Sequence, residues 1–251
     1  MNPSNPAPIP VRPPLLRRML AEFVGTGLLV AIVVGSGIMA QRLSPDDVGL
    51  QLLQNSLTTA LGLAVLILAL GPVSGAHFNP VVSFVDWWVS RGTLHGLPVR
   101  DVAPYVAAQI VGGIAGTVLA GAMFDTAPVL SRTDRASAGT LLGEVVATTG
   151  LILVIFALAR SGKGAVTAAA VGGYIGAAYW FTSSTSFANP AVTIARMFTD
   201  TFAGIAPASV GPFILAQLIG ATLGLGLVLV LYPSSARGTA AAVAPQPAAQ
   251  L

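Results

Sequence analysis

Two ten-residue stretches restrict what this chain can fold into more than any other feature: Ser74-Gly-Ala-His-Phe-Asn-Pro-Val-Val-Ser83 and Thr185-Ser-Phe-Ala-Asn-Pro-Ala-Val-Thr-Ile194. Each starts with small or polar residues, reaches Asn-Pro and runs on into apolar sequence. Asn is a preferred helix N-cap and Pro suits the first helical position, so each stretch predicts a helix start. The helices that follow are short, Pro80 to about Val89 and Pro190 to about Thr199. Ten residues at 1.5 Å rise give roughly 15 Å, half of a hydrocarbon core about 30 Å thick. Two such half-helices meeting at their Asn-Pro ends would together span a membrane.

The rest of the chain fits that setting. It is 54% hydrophobic and 8% charged, whereas a soluble domain needs about 25% charged residues to cover its surface. Spans of about 20 apolar residues run near 20–40, 50–70, 102–123, 137–159, 165–181 and 210–232, the fifth being short. The expected fold class is therefore an all-α membrane protein with six transmembrane helices plus two half-helices. Residues 1–14 are Pro-rich and read as a disordered arm without a signal-peptide cleavage site, and 234–251 as an Ala/Pro-rich tail. Between them, 15–233 forms one domain.

Charge placement sets the orientation. With the N-terminus inside, Arg12, Arg17, Arg18, Arg91, Arg100, Arg160, Lys163 and Arg237 face the cytoplasm, and Arg42, Arg132, Arg135 and Arg196 face out. This positive-inside bias predicts a multi-pass protein of the inner (plasma) membrane with both termini cytoplasmic. The two halves, about 15–123 and 137–233, also repeat one another. Glu22 corresponds to Glu144, Asn79 to Asn189, and Gln109-x-x-Gly112-x-x-x-Gly116 to Gln217-x-x-Gly220-x-x-x-Gly224. Three spans per half force the second half to enter from the opposite side, giving an inverted repeat. The Gly-x-x-x-Gly pairs allow close helix contact, although glycine is common in such helices.

Several chemistries are disfavoured. With no cysteine, disulfides, thiolate metal sites and cysteine nucleophiles are excluded. A net charge of +3 is too small for a nucleic-acid footprint. Two histidines and nine carboxylates form no evident metal cage or nucleophile–base pair, so no enzyme activity, metal or cofactor is expected. What remains is the paired caps. A capping Asn accepts through its side-chain oxygen, leaving an amide nitrogen with two donors. Asn79 and Asn189 facing each other would offer donors to a passing solute, and the half-helix N-termini add positive potential. Such a site conducts neutral molecules and rejects protons and cations.

The span order, Ala21-Glu22-Phe23-x-Gly25-Thr26, Ser74-Gly75-Ala76-His77-Phe78-Asn79-Pro80 and Asn189-Pro190-Ala191 resemble the aquaporin and aquaglyceroporin (major intrinsic protein) family over about residues 15–233. The resemblance implies a homotetramer in the lipid bilayer with one pore per protomer. It implies pore boxes at Asn79-Pro80-Val81 and Asn189-Pro190-Ala191, the first departing from the family's Asn-Pro-Ala. Glu22 and Glu144 would support the half-helix loops; a proton relay is the alternative for intramembrane carboxylates. His77 would pack the loop or gate a pore mouth, and Gln109 and Gln217 would join helices.

Carried over without gaps, the family's outer selectivity filter falls on Thr59, Ala177, Ser186 and Val192; a two-residue shift would replace Thr59 by Leu61, and span five could shift similarly. Val192 stands where water-selective and glycerol-type members have Arg, so a wide filter is expected. Arg196, one turn on, would either guard the outer vestibule or snorkel at the interface. The Val192 departure and the run to Pro207 are most similar to bacterial aquaporins associated with arsenic resistance. That implies water, glycerol-like polyols and arsenite or other uncharged metalloid hydroxides as solutes. A secondary transporter on the same inverted-repeat plan is the alternative, with Glu22 and Glu144 as its only coupling candidates.

Overall fold

The computed structural model describes residues 12–91 and 96–233, so most of the expected arm, the tail and Arg237 lie outside the described residues. The described chain forms eight α-helices: α1 (Leu15–Leu43), α2 (Val48–Ser74), α3 (Pro80–Val89), α4 (Val99–Met123), α5 (Ala138–Arg160), α6 (Thr167–Phe181), α7 (Pro190–Ala195) and α8 (Pro207–Leu231). Five of these, α1, α2, α4, α5 and α8, are long and apolar enough to cross a membrane. The sixth span, α6, has only 15 residues and is extended at its start by a 3-10 turn, Gly164–Val166. Large apolar side chains such as Leu16, Leu61, Leu142 and Leu215 project outward, as they do where lipid rather than water surrounds the bundle.

The helix ends follow from local chemistry. Asp47 caps α2 through Leu50 N at 2.8 Å, and Ser137 with Thr140 forms a reciprocal capping box on α5. At the other end of α2, Gly75 adopts φ 92°, a left-handed closure that needs no Cβ. The first half-helix has the bounds expected from sequence. The second does not reach Thr199: regular α-helix stops at Ala195 and tightens into a 3-10 turn, Arg196–Phe198. There the Arg196 carbonyl turns to accept from Ile205 N at 3.3 Å.

The second half of the chain repeats the packing of the first. Helices α1 and α4 pack together as α5 and α8 do, α2 joins α6 between the halves, and each half-helix also touches the last helix of the other half (α3 on α8, α7 on α4). Glycine permits the two tight crossings. A Cβ on Gly112 would lie 2.2 Å from the Phe23 carbonyl oxygen, and one on Gly116 2.0 Å from that of Gly27. The matching distances for Gly220 and Gly224 are 2.5 Å to Val145 O and 2.7 Å to Thr149 O. Both Gly-x-x-x-Gly pairs are thus backbone-to-backbone contacts.

Candidate functional site

Asn79 and Asn189 cap α3 and α7 and brace each other's loops. Asn79 Oδ1 accepts from Val81 N at 3.1 Å, and Asn189 Oδ1 accepts from Ala191 N and Val192 N at 3.0 and 3.2 Å. Their amide nitrogens donate across the repeat axis, Asn79 Nδ2 to Ala188 O at 2.8 Å and Asn189 Nδ2 to Phe78 O at 2.7 Å. This corrects the expectation of two spare donors on each amide. One is spent on the opposite loop, so each Asn keeps a single N–H for a solute.

The loops ahead of the caps hold their shape against backbone strain. Ala76 and Phe78 in the first, and Ser186 and Ala188 in the second, adopt φ of 48–52°, a left-handed conformation costing a non-glycine residue about 1 kcal/mol or more. Two buried carboxylates hold them there. Glu22 Oε1 accepts from Ser74 Oγ and His77 N at 2.6 and 3.0 Å, and Oε2 from Phe78 N and Gln109 Nε2, both at 2.7 Å. Glu144 Oε1 accepts from Phe187 N at 2.9 Å, and Oε2 from Ala188 N and Gln217 Nε2 at 2.8 and 2.6 Å. The two glutamines do more than join helices. Gln109 also donates to Ser83 Oγ and Gln217 to Thr193 Oγ1, both at 2.9 Å, tying each carboxylate to the first turn of its half-helix.

A cavity runs past both loops. Its lining includes Thr167 and Tyr179, twelve residues apart on α6, so it extends along that helix for roughly 18 Å. One side is polar, formed by Ala76–Asn79 and Ser186–Asn189. The facing walls are apolar, with Leu29 and Val33 from α1, Leu63 from α2, Leu151 and Ile155 from α5, and Val171 and Ile175 from α6. A solute therefore meets most of its hydrogen-bonding groups along one stripe, with Thr59, Thr167, Tyr179 and Arg196 the polar residues outside it.

Thr59, Ser186, Val192 and His77 all line this cavity. Pro80 is half-buried, and Val81, Pro190 and Ala191 are buried behind the lining, where Val82 rather than Val81 faces the cavity. His77 Nδ1 lies 3.0 Å from Ser83 Oγ and Nε2 3.7 Å from Asp86 Oδ2. Ala177 is a correction. It is exposed on the outer side of α6, while Ile175 and Tyr179 reach the cavity. At about 100° per residue, Ala177 points roughly 160° away from Tyr179. Tyr179 closes that corner, its hydroxyl 3.2 Å from Thr59 Oγ1. The alternative Leu61 also points outward, 62% exposed.

Arg196 does not snorkel at the interface, one of the two expected placements. It is 2% exposed and lines the cavity with Val192. Four residues advance a helix by roughly 400°, which returns Arg196 to nearly the same face as Val192. Its guanidinium carbon sits 3.5 Å from the Phe187 ring centroid, and Nε donates to Ala203 O at 2.5 Å. The i+4 spacing from Val192 was the available signal for this.

Comparison with known proteins agrees with this geometry. The family model described as major intrinsic protein matches residues 11–186. Aquaglyceroporin AqpS of Rhizobium meliloti (strain 1021) is 52% identical over 215 residues, covering 85% of this chain and 89% of that protein, so its alignment includes residues beyond the family match. The probable aquaporin AqpM of Archaeoglobus fulgidus is 29% identical over 222 residues, covering 76% of this chain and 86% of that one. In fold, the X-ray structure of the aquaglyceroporin from Plasmodium falciparum superimposes with a TM-score of 0.63 at 19% identity, covering 86% of this chain and 96% of that chain. With paired Asn-Pro caps meeting in an inverted repeat and these likenesses over most of its length, the chain belongs to the major intrinsic protein family.

Proposed function

We propose that the cavity is a passive conduction path for water and small uncharged solutes, glycerol-like polyols and arsenite-type metalloid hydroxides among them. The observation that carries this reading is the meeting of two half-helix N-termini in a cavity with apolar walls, each Asn keeping one N–H free. A water passing between Asn79 and Asn189 accepts from both and turns its own hydrogens outward, which breaks a proton wire; the helix-end potentials oppose cations. The outer filter comprises Thr59, Ser186 and Val192, with Tyr179 in the place first given to Ala177. Val at 192 leaves space that Arg would fill, which favours solutes larger than water.

On this reading residues 15–233 are one channel domain, its repeats being about 15–123 and 137–233. The protein sits in the inner (plasma) membrane with both termini cytoplasmic, assembled as a homotetramer. A coupled transporter is disfavoured, because Glu22 and Glu144 are occupied in holding the loops. Stopped-flow light scattering on proteoliposomes under water, glycerol and arsenite gradients tests the reading. Water and glycerol permeabilities above those of empty liposomes, independent of sodium and proton gradients, support it; flux driven by either gradient overturns it.

A further inference from the structure

The outer cavity holds a positive charge with no ion-pair partner among the described residues. Among the described residues the ion pairs are Arg18–Asp101, His77–Asp86 and Arg100–Asp101, so Arg196 has no acidic partner. Among the described residues its only hydrogen bond is the one from Nε, and its terminal nitrogens have no acceptor there. The group is nevertheless fixed in place by the Phe187 ring beneath it, which Phe213 supports edge-on at 5.2 Å. Burying an unpaired charge is costly, so a site that retains one needs something to meet it. Ser186 Oγ, in the same lining, is also buried without a partner.

Arg135 reinforces the arrangement. It lies 5.4 Å from the same Phe187 ring and donates from Nε and Nη2 to Gly204 O and Phe202 O at 2.6 and 2.7 Å. Three consecutive carbonyls, of Phe202, Ala203 and Gly204, thus receive the two guanidiniums. One loop thus holds both guanidiniums, that of Arg196 in the cavity lining and that of Arg135 outside it.

We propose that Arg196, not position 192, supplies the fixed charge and the donors of the outer filter, and that with Ser186 it forms a binding station for solutes bearing neighbouring hydroxyl oxygens. This rests on the channel reading above. Of five guanidinium N–H donors one is used, leaving four for solute oxygens, while Ser186 Oγ accepts from a solute hydroxyl. A polyol satisfies both partners at once and urea, lacking hydroxyls, does so less well. A cation about 4 Å from the guanidinium at an effective dielectric near 20 is disfavoured on the order of 1,000-fold, and about 5-fold in water-like surroundings.

The test compares the parent with Arg196→Gln, Arg196→Met and Ser186→Ala in proteoliposomes. It measures water, glycerol and urea permeabilities and potassium leak, normalised to incorporated protein. A parent that conducts neither water nor glycerol defeats the channel reading itself. With a conducting parent, either Arg196 variant that keeps its water permeability should leak potassium at least about 5-fold faster and lose preference for glycerol over urea. Ser186→Ala should lose that preference with potassium leak unchanged. Conducting Arg196 variants as tight to potassium and as glycerol-selective as the parent overturn the proposal. Should both fail to conduct water, Ser186→Ala decides it, and unchanged glycerol selectivity there overturns it.

Discussion

Glu22→Gln changes one atom, lines no part of the cavity, and should nevertheless close it. The carboxylate receives four donors, Ser74 Oγ, His77 N, Phe78 N and Gln109 Nε2. A glutamine presents an NH₂ to one pair of them. If it faces Ser74 and His77, the serine hydroxyl can turn to accept, but His77 N–H is orphaned. If it faces Phe78 and Gln109, the Gln109 amide can flip, its Oε1 having no other partner, but Phe78 N–H is orphaned. Either way one backbone bond to a charged acceptor is lost, about 2 kcal/mol, and the other three drop from charged to neutral strength, about 1 kcal/mol each. The total of about 5 kcal/mol exceeds the roughly 2 kcal/mol needed to hold Ala76 and Phe78 left-handed, so the loop should relax into the cavity. Osmotic water permeability per incorporated protein should fall at least about 10-fold, with a lower thermal midpoint in detergent, since 5 kcal/mol is a large share of a domain's stability. If Glu22→Gln keeps the parental water and glycerol permeabilities and midpoint, the carboxylate is not what holds the loop. Lost proton-coupled flux with normal water permeability would restore the relay reading.

Three further outcomes are expected. Val192→Arg adds a guanidinium one turn from Arg196 in the same cavity, and glycerol permeability should fall at least about 10-fold while water falls less; equal losses of both in the same vesicles would refute a filter at this level. Mercuric ion should leave water permeability unchanged, because the chain has no cysteine; a block reversed by free thiol would contradict this. Gly116→Ala should lower the thermal midpoint more than Gly224→Ala, since its Cβ would meet a carbonyl oxygen at 2.0 rather than 2.7 Å, with costs of about 1–3 kcal/mol. The reverse order would show that the second repeat is the less yielding one.

What the sequence disclosed depended on how local the cause was. Asn-Pro caps act within three residues, and so the start of both half-helices was readable directly. The Gly-x-x-x-Gly contacts were readable because the inverted repeat presents the same spacing twice. Ala177 failed because α6 carries no motif that fixes its rotation, and a two-residue slip turns a helix by roughly 200°. The inward turn of Arg196 depends on a 3-10 turn and on Ala203 and Phe187, which are neighbours only after folding. The spending of one Asn amide hydrogen on the opposite loop was hidden for the same reason, since its acceptor lies in the other repeat.

The cross-braces between Asn79 and Ala188 and between Asn189 and Phe78 join residues 109 and 111 positions apart. At about 5–20 residues per second, the ribosome needs roughly 5–20 s to make that stretch. During that interval the first half is in the membrane with Asn79 lacking its acceptor and Phe78 O its donor, an unsatisfied state that hydrocarbon penalises. The nascent first half should therefore keep α3 out of the lipid, or held by the insertion machinery, until the second half arrives. Biogenesis of such a channel becomes a matter of timing, and an event late in its synthesis is the one that seats the first loop.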